Sequence, residues 1–438
     1  MASLPGLSLR RNFSWTLAGN VVYAGCQWAM LVILAKLGSP VMVGQFALGL
    51  AITAPVVMFS NLQLRVVQAT DARYEYLFSD YLGLRIITTV LALIVIMGIA
   101  LVAGYRWETA IVIVVVGLAK AFESISDVFY GFLQQNERMD RIAKSMMIKG
   151  PLSLVALGIG IYLTGSVLWG VVGLAIAWAL ILIGYDVHSG TFIMQTITQA
   201  PRIIKNRVEG LATLRPRLEM GTLRKLALVA MPLGFVMMLI SLNTNIPRYF
   251  IEHYFGEREL GIFAAMAYLM VAGNTVVSAL GQSATPRLAK YYTSGNSAAF
   301  RVLLLKLFGI GTLLGVVGVL VALLAGREIL TLLYRPAYAD HTDVFIWLMI
   351  AAGLSYISLF SGSGMTAARH FRIQFPLQLF VVIVMVGASM ILIPSYGMLG
   401  AAWATCIALA LRLSLESMVI THALKTVNIK KHVYIPMG

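Results

Sequence analysis

Charged residues are scarce in this sequence. Asp, Glu, Lys and Arg make up 12% of its 438 residues, whereas hydrophobic residues make up 59% and the mean hydropathy is +0.86. Because soluble domains carry about 25% charged residues, the composition excludes a soluble fold. It predicts an integral membrane protein with many spanning helices.

Cysteine and the usual catalytic motifs are nearly absent as well. Cys26 and Cys406 lie far apart in apolar stretches, so they form neither a disulfide framework nor a metal-ligand spacing. The sequence has no phosphate-binding loop of the G-x-x-x-x-G-K-[ST] type, no His or Cys metal cluster and no nucleophile elbow. We therefore expect no cofactor and no metal, and a transporter rather than an enzyme.

Acidic residues are the scarcer of the two charged classes, with 18 Asp and Glu against 33 Lys and Arg. In a soluble protein this excess would suggest nucleic acid as a partner. In a membrane protein it is explained by the accumulation of basic residues in cytoplasmic segments. We therefore expect no nucleic-acid partner.

Long apolar runs dominate what is present. A helix needs about 20 apolar residues to cross a bilayer, and six such runs precede a basic connection at 187–222, with six more after it. The basic residues of this connection are Arg202, Lys205, Arg207, Arg215 and Arg217. The predicted spans are 13–35, 41–63, 82–104, 109–131, 142–164, 166–186, 226–250, 259–284, 302–325, 343–367, 374–394 and 397–421.

The distribution of basic residues predicts the orientation of these spans. With a cytoplasmic N-terminus, most Lys and Arg fall on the cytoplasmic side, as the positive-inside rule requires. Six fall on the opposite side, namely Lys36, Arg106, Arg248, Arg258, Arg327 and Arg335, and Lys120 lies within the membrane. Arg10 and Arg11 precede an apolar run that is too long for a signal-peptide core, so we expect a retained first span and cytoplasmic termini.

The two halves of the chain repeat in parallel. Gly38 followed by Gly44-Gln45-Phe46 recurs as Gly256 followed by Gly261-Ile262-Phe263. The sixth and twelfth spans open with two further related pairs, Gly170-x-x-Gly173 and Gly397-x-x-Gly400, although such pairs also simply allow close helix contact. We predict an all-α fold of two six-helix lobes, 1–186 and 223–438, joined by a linker at 187–222, an architecture typical of alternating-access transporters.

The fourth span carries the most informative ionisable cluster. Lys120, Glu123 and Asp127 are spaced three and four residues apart and therefore share one helical face. Such residues are costly in a bilayer unless they pair or face water. Lys120 is a candidate for binding a substrate anion, and Glu123 or Asp127 for exchanging a proton. The alternative is an internal Lys120–Glu123 pair, which leaves Asp127 unpaired.

Other polar residues within the spans are weaker candidates. Arg85, Lys149 and Arg412 lie near cytoplasmic ends, where long side chains can snorkel to the headgroups, and Arg412 can also pair with Glu416. Polar stripes in the first and seventh spans could line a central cavity between the lobes or form interhelical hydrogen bonds. These stripes comprise Asn20, Tyr23, Gln27, Asn243, Asn245 and Arg248.

Several short segments carry a resemblance to a known family. They are Asn12-x-x-Trp15 with Gly19, Leu37-Gly38, Gly44-Gln45-Phe46, the run from Phe122 to Gly131, the run from Asn245 to Tyr249, and Gly261-Ile262-Phe263-Ala264-Ala265 with Ala267-Tyr268. In this order they resemble the polysaccharide transporter branch of the multidrug/oligosaccharidyl-lipid/polysaccharide exporter superfamily, the Wzx-type flippases.

The resemblance implies a fold like that of multidrug-extrusion transporters in the bacterial cytoplasmic membrane. It also implies a cargo, an undecaprenyl-pyrophosphate-linked oligosaccharide moved to the outer leaflet for O-antigen, capsule or exopolysaccharide synthesis. Lys120, Arg248 and either Arg85 or Arg412 would then hold the anionic head. Membrane lipids, H⁺ or Na⁺ as coupling ion, and polysaccharide polymerase or assembly proteins are the remaining candidate partners.

Three other functions stay open at this point. A drug or organic-cation antiporter on the same fold would use Glu123 and Asp127 to attract its cargo. A membrane scaffold would organise polysaccharide-synthesis enzymes through the basic segment 187–222. A glycosyltransferase or polymerase would need acidic catalytic residues in a sizeable loop, and the predicted outer loops are too short for that.

Overall fold

The computed structural model describes residues 9–71, 75–198, 215–368 and 373–433, and every regular element in these ranges is helical. The all-α fold class predicted from the sequence is confirmed. The helices are α1 (Leu9–Leu37), α2 (Pro40–Ser60), α3 (Leu64–Thr70), α4 (Phe78–Val102), α5 (Trp107–Gln135), α6 (Met139–Thr164), α7 (Val167–Ile181), α8 (Val187–Thr198), α9 (Met220–Thr293), α10 (Ser297–Leu333), α11 (Pro336–Ala339), α12 (Thr342–Ala367) and α13 (Gln374–Val433), with a π-helical segment at Leu182–Asp186 between α7 and α8.

Ten helical segments in the described part of the chain are long and apolar enough to span a membrane. Two of them are too long for one crossing, because α9 has 74 residues and α13 has 60, about 110 and 90 Å at 1.5 Å per residue. The hydrocarbon core of a bilayer is about 30 Å thick. Each of these helices is interrupted by a glycine with non-helical backbone, Gly256 (φ 83°) in α9 and Gly397 (φ 57°) in α13. Divided at these glycines, the described helices supply the twelve predicted crossings.

Local sequence explains where several helices begin and end. Ser39 caps α2 by accepting a hydrogen bond from the Met42 backbone N–H at 3.4 Å, and Pro40 occupies the first helical position. Gly165 ends α6 in the left-handed conformation (φ 63°), which glycine adopts without a steric penalty. These caps satisfy backbone groups that would otherwise be costly near the membrane.

The connection between α2 and α3 has an uncommon backbone. Leu62 (φ 49°) and Gln63 (φ 51°) are consecutive non-glycine residues in the left-handed region, where each L-residue costs roughly 1–2 kcal/mol. This break redirects the chain immediately before α3 and thereby determines where Arg65 lies.

The first compact unit of the chain comprises residues 1–241, and α5 is its central helix, with contacts to α2, α4 and α7. Its aromatic core includes Phe78, whose ring centroid lies 5.2 Å from that of Phe129 and 5.1 Å from that of Phe132. Leu223 and Leu226 of α9 are buried in the same core. The start of α9 therefore belongs to this unit, and the division at 222/223, inferred from membrane topology, stays a prediction.

The second compact unit comprises residues 242–438, and α10 packs along α12 within it. This contact is close because Gly315 and Gly353 face each other without side chains. The Tyr334 hydroxyl, fully buried, donates a hydrogen bond of 2.8 Å to the Ala265 carbonyl. Aromatic and glycine residues thus fix the helices of this unit.

The predicted basic connection at 187–222 is more structured than expected where it is described. Residues 187–198 continue the sixth crossing as α8, and this stretch contains no Asp, Glu, Lys or Arg. At the other end the Arg217 backbone N–H donates to the Ser79 carbonyl at 2.9 Å, and its guanidinium lies 4.0 Å from the Asp80 carboxylate. The basic residues Arg202, Lys205 and Arg207 lie outside the described residues.

Candidate functional site

One face of α5 carries a stripe of polar side chains. Its members are Lys120, Glu123, Asp127, Tyr130 and Gln134, and steps of three or four residues keep them within one arc of the helix. The stripe extends over roughly 21 Å along the helix axis at 1.5 Å per residue. Because α5 is the central helix of the first unit, the partners of this stripe come from several surrounding helices.

Lys120 and Glu123 form an ion pair of 2.8 Å, and the Tyr23 hydroxyl of α1 donates to the second Glu123 oxygen at 2.6 Å. The Lys120 ammonium also lies 5.0 Å from the ring centroid of Trp178. The internal-pair interpretation of these two residues is confirmed, so together they carry no net charge. Their side chains are 24% and 30% exposed, respectively, so this ion pair is partly accessible from outside the protein.

Asp127 is paired with two arginines. One carboxylate oxygen lies 3.3 Å from Arg65 of α3, and the other lies 3.6 Å from Arg85 of α4. The sequence-based alternative that leaves Asp127 unpaired is therefore wrong. Spacing along α5 identifies neighbours on the same helix only, whereas both partners are supplied by other helices.

Arg85 does not snorkel. Its side chain is fully buried, and its Nη1 donates to the Oδ1 of Asn61, the residue that ends α2. Within the described part of the chain, its Nε and Nη2 have no hydrogen-bond acceptor. Removing a cation from water costs several kcal/mol even after relaxation. An anion that accepts hydrogen bonds from the two unsatisfied donors of this buried guanidinium would therefore bind favourably.

Arg65 was not among the predicted site residues because it lies just after the second predicted span. Its Nε donates to the Gln134 side-chain oxygen at 3.1 Å, and its guanidinium lies 5.5 Å from the ring centroid of Tyr130. The Arg65 and Asp127 side chains are 32% and 29% exposed. The polar run around Asn61 and Gln63 at the end of an apolar span is the signal that could have identified Arg65.

We call Asn61, Arg65, Arg85, Asp127 and Gln134 the paired-arginine cluster. It contains two guanidinium groups and one carboxylate, so it carries one excess positive charge. One arginine is fixed by burial and the other is partly exposed. Guanidinium groups bind phosphate and carboxylate oxygens through planar, bidentate hydrogen bonds, so the cluster is chemically suited to bind an anion.

A second ion pair is buried next to the polar stripe of α5. Lys149 of α6 lies 3.8 Å from Asp186 of the π-helical segment, and both side chains are almost fully buried. The Ser145 hydroxyl donates to Asp186 at 2.5 Å and is itself hydrogen-bonded to the Tyr130 hydroxyl at 2.7 Å. The predicted snorkelling of Lys149 is wrong, because Asp186, at the end of a predicted span, supplies a buried counter-ion.

The candidates of the first-span stripe have different environments. Tyr23 joins the Lys120–Glu123 pair, whereas Asn20 is exposed and Gln27 is partly buried. The Gln27 Nε2 is buried and has no hydrogen-bond partner among the residues that the structure describes. Of this stripe, only Tyr23 is brought into the charged stripe of α5 by an observed hydrogen bond.

In the second unit, the remaining candidates form two local groups. Arg248 donates to the Asn245 side-chain oxygen at 3.1 Å, and Asn243 is buried nearby in sequence with its Oδ1 unsatisfied. Arg412 and Glu416 pair at 2.9 Å, as their spacing predicts, and Glu416 also accepts a hydrogen bond of 3.0 Å from Ser358. Arg412 is thus neutralised locally.

Solved structures of two transporters share this fold. The structure of the lipid II flippase MurJ in an inward closed conformation matches with a TM-score of 0.71 at 11% identity, covering 96% of this chain and 91% of that chain. An inward-facing multidrug resistance MATE transporter of the MOP superfamily matches with a TM-score of 0.63 at 18% identity, covering 96% and 97%. The predicted MATE-like fold is confirmed, and the chain is a multi-pass inner-membrane protein.

Sequence comparison identifies the family. The capsular polysaccharide biosynthesis protein CapF of Staphylococcus aureus is 30% identical over 402 residues, covering 90% of this chain and 94% of that protein. A family model described as "Polysaccharide biosynthesis protein" matches residues 9–292. This chain therefore belongs to the polysaccharide biosynthesis protein family.

Proposed function

We propose that this protein is a flippase for undecaprenyl-pyrophosphate-linked oligosaccharide repeat units. It moves them from the cytoplasmic to the outer leaflet of the inner membrane by alternating access, and so supplies surface polysaccharide synthesis. Family membership supports a role in polysaccharide production. The fold shared with a lipid II flippase supports transport of a lipid-linked cargo.

The observation that carries this proposal is the excess positive charge of the paired-arginine cluster. A lipid-linked diphosphate presents several anionic oxygens, and binding them in a membrane requires fixed cations shielded from lipid. Arg85 provides a buried guanidinium with two unsatisfied donors, and Arg65 provides a partly exposed one beside it. The polyprenyl tail would remain in the bilayer.

The predicted orientation gives the cluster a place in the transport cycle. With both termini cytoplasmic, Arg65 and Arg85 lie toward the cytoplasmic end of their spans, where the diphosphate head enters. Lys120 lies further along the stripe of α5 and is a candidate for a second contact with the head. Arg248 and Arg412 remain candidates for binding an anionic group of the cargo, and the amides of Asn20, Gln27, Asn243 and Asn245 remain candidates for binding sugar hydroxyls.

A drug or organic-cation antiporter is less well supported by the same geometry. Such a protein needs a carboxylate free to attract a cation. In the charged groups of the first unit, Glu123, Asp127 and Asp186 each lie within 4 Å of a lysine or arginine nitrogen. These three carboxylates have four basic partners, namely Arg65, Arg85, Lys120 and Lys149. The ion-paired groups taken together therefore carry a positive net charge, which favours an anionic cargo.

Complementation tests the proposal. In a deletion strain without a second flippase, Arg65→Gln and Arg85→Gln should each reduce surface polysaccharide at least about tenfold, since hydrogen bonds to charged groups contribute about 1.5–3 kcal/mol. Arg224→Gln, which removes the same charge from an exposed site, is the matched control and should restore near-normal polysaccharide. A deletion strain that still makes normal surface polysaccharide would refute the proposal.

Reconstitution separates the flippase from a membrane scaffold. A scaffold predicts no movement of a fluorescent lipid-diphosphate oligosaccharide in proteoliposomes that contain only this protein. A flippase predicts movement that Arg85→Gln abolishes and Arg224→Gln preserves. Imposing H⁺ or Na⁺ gradients on the same vesicles identifies a coupling ion, and co-purification from membranes tests association with polymerase or assembly proteins.

A further inference from the structure

Asp127 occupies the position where an anionic ligand of the paired-arginine cluster would bind. Its two carboxylate oxygens contact two different arginines, one oxygen for each guanidinium. Both contacts are long, at 3.3 Å to Arg65 and 3.6 Å to Arg85, and among the described residues the Arg85 Nη2 has no hydrogen-bond acceptor. A charge-assisted hydrogen bond between these groups would be about 2.7–2.9 Å long. Asp127 thus offsets only one of the two positive charges and leaves donors of Arg85 without a hydrogen bond.

The two arginines differ in their freedom to move. Arg85 is buried and fixed to Asn61, whereas Arg65 is partly exposed and lies on the seven-residue helix α3. This short helix follows the left-handed residues Leu62 and Gln63. Breaking the Arg65–Asp127 contact therefore requires movement of one exposed side chain, whereas Arg85 keeps its position as a fixed anchor.

We infer that Asp127 is a displaceable counter-ion: its carboxylate pairs with Arg65 and Arg85 in the empty transporter, offsets one of their two charges, and is displaced from them by the diphosphate head of the cargo. This inference rests on the proposed function. The diphosphate, with more negative charge and more acceptor oxygens, accepts hydrogen bonds from the donors of Arg85 that Asp127 leaves without one. The Asp127 carboxylate competes with the head for the two arginines. It pairs with them again when the head leaves, and this competition favours release of the cargo. The pairing assigns Asp127 this role in place of the proton exchange considered from the sequence.

Asp127→Asn tests the inference, because it keeps the shape of the side chain and removes its charge. In full-length protein purified in detergent, calorimetric titration with inorganic pyrophosphate at fixed ionic strength should show about tenfold tighter binding than wild type, within the usual range for coupled sites. The same variant should transport the lipid-linked cargo more slowly in proteoliposomes, since release is impeded. A purely structural ion pair predicts neither tighter binding nor this opposite change in the two measurements.

Two controls distinguish a local effect from a general one. Glu328→Gln removes one exposed carboxylate of the second unit and should leave the pyrophosphate affinity unchanged. Glu123→Gln removes a carboxylate one turn away on the same face of α5, where it is paired with Lys120. If Glu123→Gln tightens binding as much as Asp127→Asn, the overall charge of the stripe explains the effect and the inference is overturned.

The remaining outcomes are also decisive. Unchanged or weaker pyrophosphate binding by Asp127→Asn overturns the inference, whereas loss of binding in Arg65→Gln and Arg85→Gln would still support the proposed function. If both arginine variants bind and transport normally, the proposed site itself fails. Should Asp127→Asn not fold, Asp127→Ser replaces it, and failure of both to give monodisperse protein shows that Asp127 is structural.

Discussion

Lys149 and Asp186 show at the level of single residues how the first unit tolerates charge in its interior. Both side chains are almost fully buried, and they lie 3.8 Å apart with Ser145 as an additional donor to the carboxylate. The Lys149 ammonium nitrogen has no hydrogen-bond partner in the described ranges of the chain. A buried pair of this kind is stable because neither charge is left alone, and not because the pair as a whole is strongly favourable.

Removing one partner of this pair should therefore be more damaging than removing both. We expect Lys149→Met to lower the free energy of unfolding by about 3 kcal/mol, because an uncompensated buried carboxylate remains, and Lys149→Met with Asp186→Leu to recover most of this loss. Denaturant unfolding of the purified protein, followed by tryptophan fluorescence, measures the effect.

Lys144→Met is the matched control for this experiment, since Lys144 lies on the same helix with an exposed side chain. We expect it to change the free energy of unfolding by less than about 1 kcal/mol. A double variant that is less stable than Lys149→Met would contradict the view that the pair is mutually neutralising.

The sequence identified all three charged residues of the stripe but not their partners on other helices. Spacing on α5 predicts that Lys120 and Glu123 can pair, and they do. It cannot predict that Asp127 is held by Arg65 and Arg85, or that Tyr23 reaches Glu123 across a sequence separation of 100 residues. Periodicity fixes directions around one helix, whereas pairing between helices depends on how they pack.

At the level of elements, glycine decides how closely several helices approach. Gly315 of α10 and Gly353 of α12 face each other, and a Cβ built on Gly315 would lie 2.6 Å from the Cα of Gly353. Small residues at such contacts allow van der Waals contact between helix backbones, which is a main source of helix association in membranes. A side chain at Gly315 would therefore force the two helix backbones apart.

Gly315→Ala should therefore separate α10 from α12. Because the clash is with backbone, which cannot rotate away, we expect a loss of roughly 1–3 kcal/mol in the free energy of unfolding, as for other overpacked sites. Thermal unfolding in detergent measures this as a lower midpoint.

Gly309→Ala on the same helix is the control, because a Cβ there meets nothing within 4 Å. We expect it to leave the midpoint unchanged or slightly raised, since alanine loses less backbone entropy than glycine in a helix. Equal destabilisation by both substitutions would show that helix propensity, and not the close approach at Gly315, determines the outcome.

For the molecule as a whole, the predicted topology has both termini in the cytoplasm. It follows from an even number of crossings and from the excess of basic residues on one side. The described helices supply twelve crossings once α9 and α13 are divided at Gly256 and Gly397. The orientation itself stays a prediction.

Cysteine labelling in intact cells tests this orientation. In a protein with Cys26 and Cys406 replaced by serine, a cysteine at Glu108 should react with a membrane-impermeant maleimide, because this exposed residue begins α5 on the predicted outer side. A cysteine at Ser294, exposed between α9 and α10, should react only after the membrane is permeabilised. The reverse pattern would contradict the predicted topology and the cytoplasmic placement of the paired-arginine cluster.

Sequence by itself determined that this chain spans a membrane about twelve times and that a few ionisable residues lie within spans, whereas the parallel repeat of its halves stays a prediction. Hydropathy and helical periodicity are local properties, so they can be read without knowing the fold. Only the tertiary structure decided which charges meet: it buried Arg85 and Lys149, supplied Asp127 with two arginines, and left one positive charge in excess. These pairings join residues far apart in the sequence, and the free energy of burying a charge depends on the helices packed around it.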